Sequence, residues 1–108
     1  LITYSLGNLV SDMGATYSPA TSSARRGNTR DGVLLSLSVV KTRQVDDSLT
    51  VTIADVVATP VWTENNRLAG GPAEVRVVPL SQVEDDALRT LRREQVASVI
   101  GAEWLPAE

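Results

Sequence analysis

Two runs of alternating apolar residues constrain this chain more than any other feature. Val33-Leu34-Leu35-Ser36-Leu37-Ser38-Val39-Val40 puts Leu35, Leu37 and Val39 on one side of an extended chain and Ser36 and Ser38 on the other. Leu49-Thr50-Val51-Thr52-Ile53 repeats the pattern, with aliphatics opposed to threonines. A period of two marks a half-buried strand. Between the runs, Asp46-Asp47-Ser48 is turn chemistry, because short polar side chains bond their own backbone. The two runs predict an antiparallel hairpin with one apolar face. Their separation calls for a loop longer than the two-residue type.

The alternation slips after Ile53, where Asp55 takes the inward phase and Val56 and Val57 become adjacent. A bulge near Ala54-Asp55 absorbs the slip; the other reading, preferred on the sequence, makes Asp55 the exposed end of the strand. Pro60 punctuates the chain, and Val61-Trp62-Thr63 reads as a short edge strand, since proline is confined to edges and strand starts. Residues 64–72, with Asn65-Asn66 and Gly70-Gly71, form a turn-rich connector. A last strand follows, with Val75 and Val77 facing one way and Arg76 the other.

Residues 81–101 read as helix. Ser81 and Glu84 have the spacing of a capping box, and Glu84, Asp85 and Asp86 suit the positive end of the helix dipole. Val83, Ala87, Leu88 and Leu91 make one apolar face, whereas Val96, Val99 and Ile100 fall on the opposite side at 100° per residue. A split face predicts a kink or two short helices, broken between Arg92 and Gln95. Gly101 is the expected stop.

At the other end, Ile2, Tyr4 and Leu6 alternate with Thr3 and Ser5, a further strand, and Gly7-Asn8 breaks it, since both residues tolerate positive φ. Residues 13–32 then form a long flexible loop, rich in Ser, Thr, Ala and Gly and without period. Loops beyond roughly 12–15 residues are uncommon in compact domains and are usually functional or disordered. Arg25, Arg26 and Arg30 lie in this one. They are candidates for bidentate contact with a phosphate or carboxylate; the preferred alternative is a solvated loop that its arginines keep soluble.

Composition closes several routes. The chain has no His and no Cys, so neither a Ser-His-Asp nor a Cys-His centre can be assembled from it, and no disulfide can form. Its net charge of -3, with Lys41 as sole lysine, gives no basic nucleic-acid surface and no polybasic membrane patch. No apolar run is long enough for a transmembrane helix. Asp12, Asp31 and Asp55 are oxygen donors suited to a hard cation, but their spacing does not gather them.

Tyr4-Ser5-Leu6-Gly7-Asn8 resembles a motif of the CapA-type proteins, linked to bacterial poly-γ-glutamate capsule synthesis and similar to calcineurin-like metallophosphoesterases. Leu9 stands where that family usually has an aromatic residue, and Asp12 fits its acidic position. Arg30-Asp31-Gly32-Val33-Leu34-Leu35, Thr59-Pro60-Val61-Trp62-Thr63 and Arg76-Val77-Val78-Pro79-Leu80 resemble later blocks of the family in the same order.

The resemblance implies that 1–108 is a single C-terminal lobe of a CapA-like domain, a piece of a longer protein, as its start without an initiator Met also suggests. The implied fold is α+β: a mainly antiparallel sheet of four to five strands with a C-terminal helix on one face, forming part of a four-layer αββα sandwich. The divalent metals and their Asp- and His-rich motifs lie in the N-terminal part of the same protein, so this chain alone is inactive and holds no cofactor. The resemblance implies that Ser5 and Asn8 line a cleft edge and that Arg25, Arg26 and Arg30 meet an anionic substrate. The family's setting is the bacterial cell envelope. The alternative is a non-enzymatic α+β interaction module, dimeric through an open sheet face or edge.

Overall fold

The computed structural model describes residues 13–68 and 74–107. The expected strand at 1–6, the Gly7-Asn8 turn, Ser5 and Asp12 lie outside the described residues. Within them the chain is α+β, with a three-stranded antiparallel sheet in the order β1-β2-β3 followed by a C-terminal helix.

The hairpin forms where the alternation places it, and it is longer than expected. β1 (Asp31–Arg43) pairs with β2 (Leu49–Asn65) from Asp31 opposite Trp62 out to Arg43 opposite Leu49. The loop is held by two backbone bonds at Gln44: its N–H donates to the Ser48 carbonyl at 2.7 Å, and its carbonyl accepts from Asp47 N–H at 3.1 Å. The Asp46 carboxylate accepts from Ser48 N at 3.0 Å and Ser48 Oγ at 2.5 Å. These bonds hold the Asp46 pKa below the ordinary carboxylate value.

The slip after Ile53 is a bulge. The register breaks between Ser36 and Ser38, and Asp55 absorbs the extra residue at φ 54°. Asp55 does not end the strand, as the sequence suggested. β2 continues through Pro60 to Asn65, so the expected edge strand at Trp62 is the second half of β2. Proline is tolerated there because β3 (Val75–Pro79) starts pairing only at Val61, which leaves the outer edge of β2 open at residue 60.

The helix corrects a second expectation. A 3-10 turn covers Leu80–Gln82, and one unbroken helix, α1, runs over Asp86–Ile100. Its cap is Asp85, whose side chain accepts from Leu88 N at 3.0 Å; the Ser81 and Glu84 capping box is not used. No kink occurs between Arg92 and Gln95. Leu88, Arg92 and Val96 are spaced by four, and the inward stripe runs through Arg92, which is fully buried. The apolar pattern looked split because its middle member is a cation. Gly101 ends the helix at φ 96°.

The core is small and lies at the base of the hairpin. Tyr17, Trp62, Leu80 and Val83 form it, with Val78 and Leu88 against them. Beyond it the hairpin is an arm that no other element among the described residues covers. Leu35, Leu37, Val39, Leu49, Val51 and Ile53 are all exposed, Val39 to 63% and Val51 to 61%. The expected helix cover therefore reaches only the base. The radius of gyration is 17.7 Å, against about 13 Å for a compact chain of this length. The surface is 7723 Å², against about 5,800 Å² expected for this mass.

Candidate functional site

Residues 13–32 are built into the fold. A 3-10 helix over Ala24–Arg30 occupies the second half, and Tyr17 and Gly27 are buried. Such a polar segment cannot hold itself by apolar contacts; Arg92 of α1 holds it. Its Nη1 donates to the Ala24 carbonyl at 2.7 Å and lies 3.4 Å from the Tyr17 hydroxyl. Nη2 donates to Asn28 Oδ1 at 3.0 Å and to Asp31 Oδ2 at 2.5 Å, and Nε donates to Asp31 Oδ1 at 3.0 Å. The guanidinium meets the Asp31 carboxylate as a fork meeting a fork, the strongest geometry for this pair.

Aromatic rings complete the enclosure. The Arg92 guanidinium is 5.6 Å from the Tyr17 ring centre and 5.5 Å from that of Trp62. The rings meet edge to face at 5.8 Å. Gly27 leaves room for the cation: a Cβ there would lie 2.8 Å from Arg92 Cζ and 3.0 Å from Tyr17 Cζ. No buried side-chain nitrogen or oxygen among the described residues lacks a partner.

Charge in this node is poised by opposing effects. Burial pushes the Asp31 carboxyl above its ordinary value, and the bonds and charge of Arg92 offset only part of that. Burial also pulls the Arg92 pKa down, but the hydrogen bonds it donates to Asp31 and Tyr17, with the charge of Asp31, outweigh it, so the guanidinium is a firmer cation than usual.

The candidate arginines divide. Arg30 faces inward: its guanidinium stacks 4.3 Å over the Trp62 ring, and Nε donates to the Thr63 carbonyl at 2.7 Å. Burial lowers its pKa. Arg25 and Arg26 are exposed on the 3-10 helix. Asn8 and Ser5 lie outside the described residues, so the structure does not relate them to the arginines. Asp31 is committed to Arg92 and Asp55 lies out on the arm, so these two do not share a cation site. No cluster of three His, Cys, Asp or Glu residues suited to a metal occurs among the described residues, and the metal pair implied by the CapA resemblance does not fit them.

A groove of about 740 Å³ is lined by Pro60, Leu80, Ser81, Arg89, Thr90 and Arg93 among others. Its arginines are engaged: Arg89 donates to the Val83 carbonyl at 2.6 Å and pairs with Asp86, and Arg93 donates to the Pro106 carbonyl at 2.7 Å. Arg25, Arg26 and Arg30 do not line it.

Arg92 is the residue that the sequence analysis missed. An arginine at the centre of an otherwise apolar i, i+4, i+8 stripe was the available signal. No family model, curated protein or solved structure matches the chain.

Proposed function

We propose that the chain is the C-terminal lobe of a CapA-like protein of the metallophosphatase type, linked to poly-γ-glutamate capsule synthesis at the bacterial envelope. Its sheet belongs to a four-layer αββα sandwich. Metals and chemistry reside outside this chain, in the N-terminal part of the same protein, and the lobe contributes a cleft edge. The family assignment rests on the Tyr4-Ser5-Leu6-Gly7-Asn8 resemblance.

The observation that carries the cleft-edge role is the pinned segment. A buried guanidinium is costly to desolvate, and here it is spent on fixing a polar segment that carries exposed Arg25 and Arg26. That arrangement is useful where the position of the segment matters, as it does when guanidinium groups must meet a phosphate or carboxylate. Ser5 and Asn8 line the cleft, and Arg25 and Arg26 receive the anion. Arg30 acts indirectly, by bracing Trp62 and Thr63.

The test is metal content together with phosphodiesterase and phosphatase activity, measured on this chain and on a version extended upstream. Metal binding and turnover are expected only in the extended form. There, Arg25→Glu with Arg26→Glu raises KM about tenfold or more with unchanged melting, and Asn8→Ala lowers activity. An extended form with neither metal nor turnover removes the reading. A second reading, a non-enzymatic interaction module, is favoured by the bare arm.

A further inference from the structure

The groove between β2, the 3-10 turn at Leu80–Gln82, α1 and residues 106–107 has a chemistry of its own. Arg89 and Arg93 line it from positions four apart on α1, which puts their Cβ atoms about 5–6 Å from each other on one side of the helix. No Asp or Glu among the described residues lines it, although the chain carries 13 acidic residues against 10 basic ones. A concave wall with two cations and no acid focuses positive potential inside the groove. Its volume of about 740 Å³ falls in the range of small-molecule sites, roughly 300–1,000 Å³.

The carbonyl contacts of the two guanidinium groups fix their position without cancelling their charge. Arg89 Nη1 donates to the Val83 carbonyl and Arg93 Nη2 to the Pro106 carbonyl, and both acceptors are neutral. The Arg89 pair with Asp86 lies at the surface, since the Asp86 side chain is 84% exposed, and a pair of that kind is weak and screened by salt. A guanidinium already held in place loses less freedom when a ligand arrives. The hydroxyls of Ser81 and Thr90 add donors beside the cations. Asp85 caps α1, so the Ser81 hydroxyl is not spent on the helix. Buried Pro60 and Leu80, with Pro106, make the apolar part of the lining.

We propose that this groove binds a small organic phosphate, a monoester whose dianionic head is received by Arg89 and Arg93 and whose organic part lies against Pro60, Leu80 and Pro106. Charge selects the head. Two cations without a lining acid match a dianion, and guanidinium groups meet phosphate oxygens with paired N–H bonds. The apolar lining selects a monoester over free phosphate, because only the ester has a body to bury there.

Amide NMR of the purified chain, titrated with phenyl phosphate to about 10 mM, tests this in the range of a weak single site. Saturable shifts are expected at Ser81, Arg89, Thr90 and Arg93. Inorganic phosphate binds about threefold or more weaker, for want of the apolar contact. Benzoate, a monoanion with the same ring, binds about tenfold weaker, as does phenyl phosphate to Arg89→Gln or Arg93→Gln. Thr90→Trp keeps both cations and fills the groove from an exposed helix position; it abolishes binding and retains the wild-type melting profile. Arg25→Glu with Arg26→Glu, outside the groove, leaves the affinity within about twofold. The absence of saturable shifts overturns the proposal, as do shifts confined to residues 24–30, equal affinities for phenyl phosphate and benzoate, or full affinity in Thr90→Trp. None of these readouts depends on metal binding or turnover, so the groove and the CapA-like reading fail separately.

Discussion

Replacing Arg92 by Met keeps the length of the side chain and removes its charge. The Asp31 carboxylate, only 13% exposed, is then left without its partner, and the Ala24 carbonyl, the Asn28 amide oxygen and the Tyr17 hydroxyl lose a donor. Breaking a buried pair from one side typically costs about 3–5 kcal/mol. The carboxyl can escape by taking up a proton. Each pH unit is worth about 1.4 kcal/mol, and the roughly three units between an ordinary Asp and neutrality cap the charge part near 4 kcal/mol. The stranded neutral groups add about 1–2 kcal/mol. At pH 7 the loss is thus about 4–6 kcal/mol, much of what a domain of this size possesses.

The pH dependence is the sharper consequence. Near pH 4 protonation of Asp31 costs almost nothing, so the Arg92→Met penalty should fall to about 1–2 kcal/mol. Urea unfolding followed by fluorescence measures both values, since Trp62 is 2% exposed and packs on the node whereas Trp104 is 42% exposed. A penalty below 1 kcal/mol at pH 7, or one that does not change between pH 7 and 4, refutes the claim that Arg92 holds a buried charge.

Gly27→Ala pushes a methyl into Arg92 and Tyr17 and should cost about 1–3 kcal/mol by overpacking, read from the urea midpoint. Asp55 holds a left-handed conformation, so Asp55→Gly should be neutral or stabilising by up to about 1 kcal/mol, and Asp55→Val destabilising by about 1–2 kcal/mol; equal midpoints would remove the bulge argument. Asp31 should titrate by NMR above the ordinary value of 3.8 and Asp46 below it. The signs then differ: the Asp31 contribution to stability is present below the ordinary value and lost as pH rises through the raised one, while that of Asp46 is present above the ordinary value and lost as pH falls through the depressed one.

The hairpin was legible because alternation over Val33–Val40 and Leu49–Ile53 is a local property of the chain. The slip at Asp55 was legible in the same period, but the sequence favoured a strand end there, and the bulge is what the structure has. The fate of β2 beyond it was not, because proline forbids only a bond that a neighbouring strand would require, and the extent of β3 is a tertiary fact. The helix was misread at Arg92 for a related reason. Periodicity sorts residues by polarity, and a buried cation is apolar in position while polar in kind. Its partners, Tyr17, Ala24, Asn28 and Asp31, are separated from it by 61–75 residues. The same distance hid the anchoring of the polar segment, whose composition reads as solvated loop.

That separation also sets an order of events during synthesis. The hairpin closes over a short stretch of chain and can form early, whereas the Arg92 bonds close loops of 61–75 residues and come late. The segment around Arg25 and Arg26 leaves the ribosome before the hairpin but has no anchor until Arg92 has emerged. Nascent chains arrested short of Arg92 should be cut by trypsin at Arg25 and Arg26, and chains released after the helix should resist. The segment made before the hairpin is fixed in place after it.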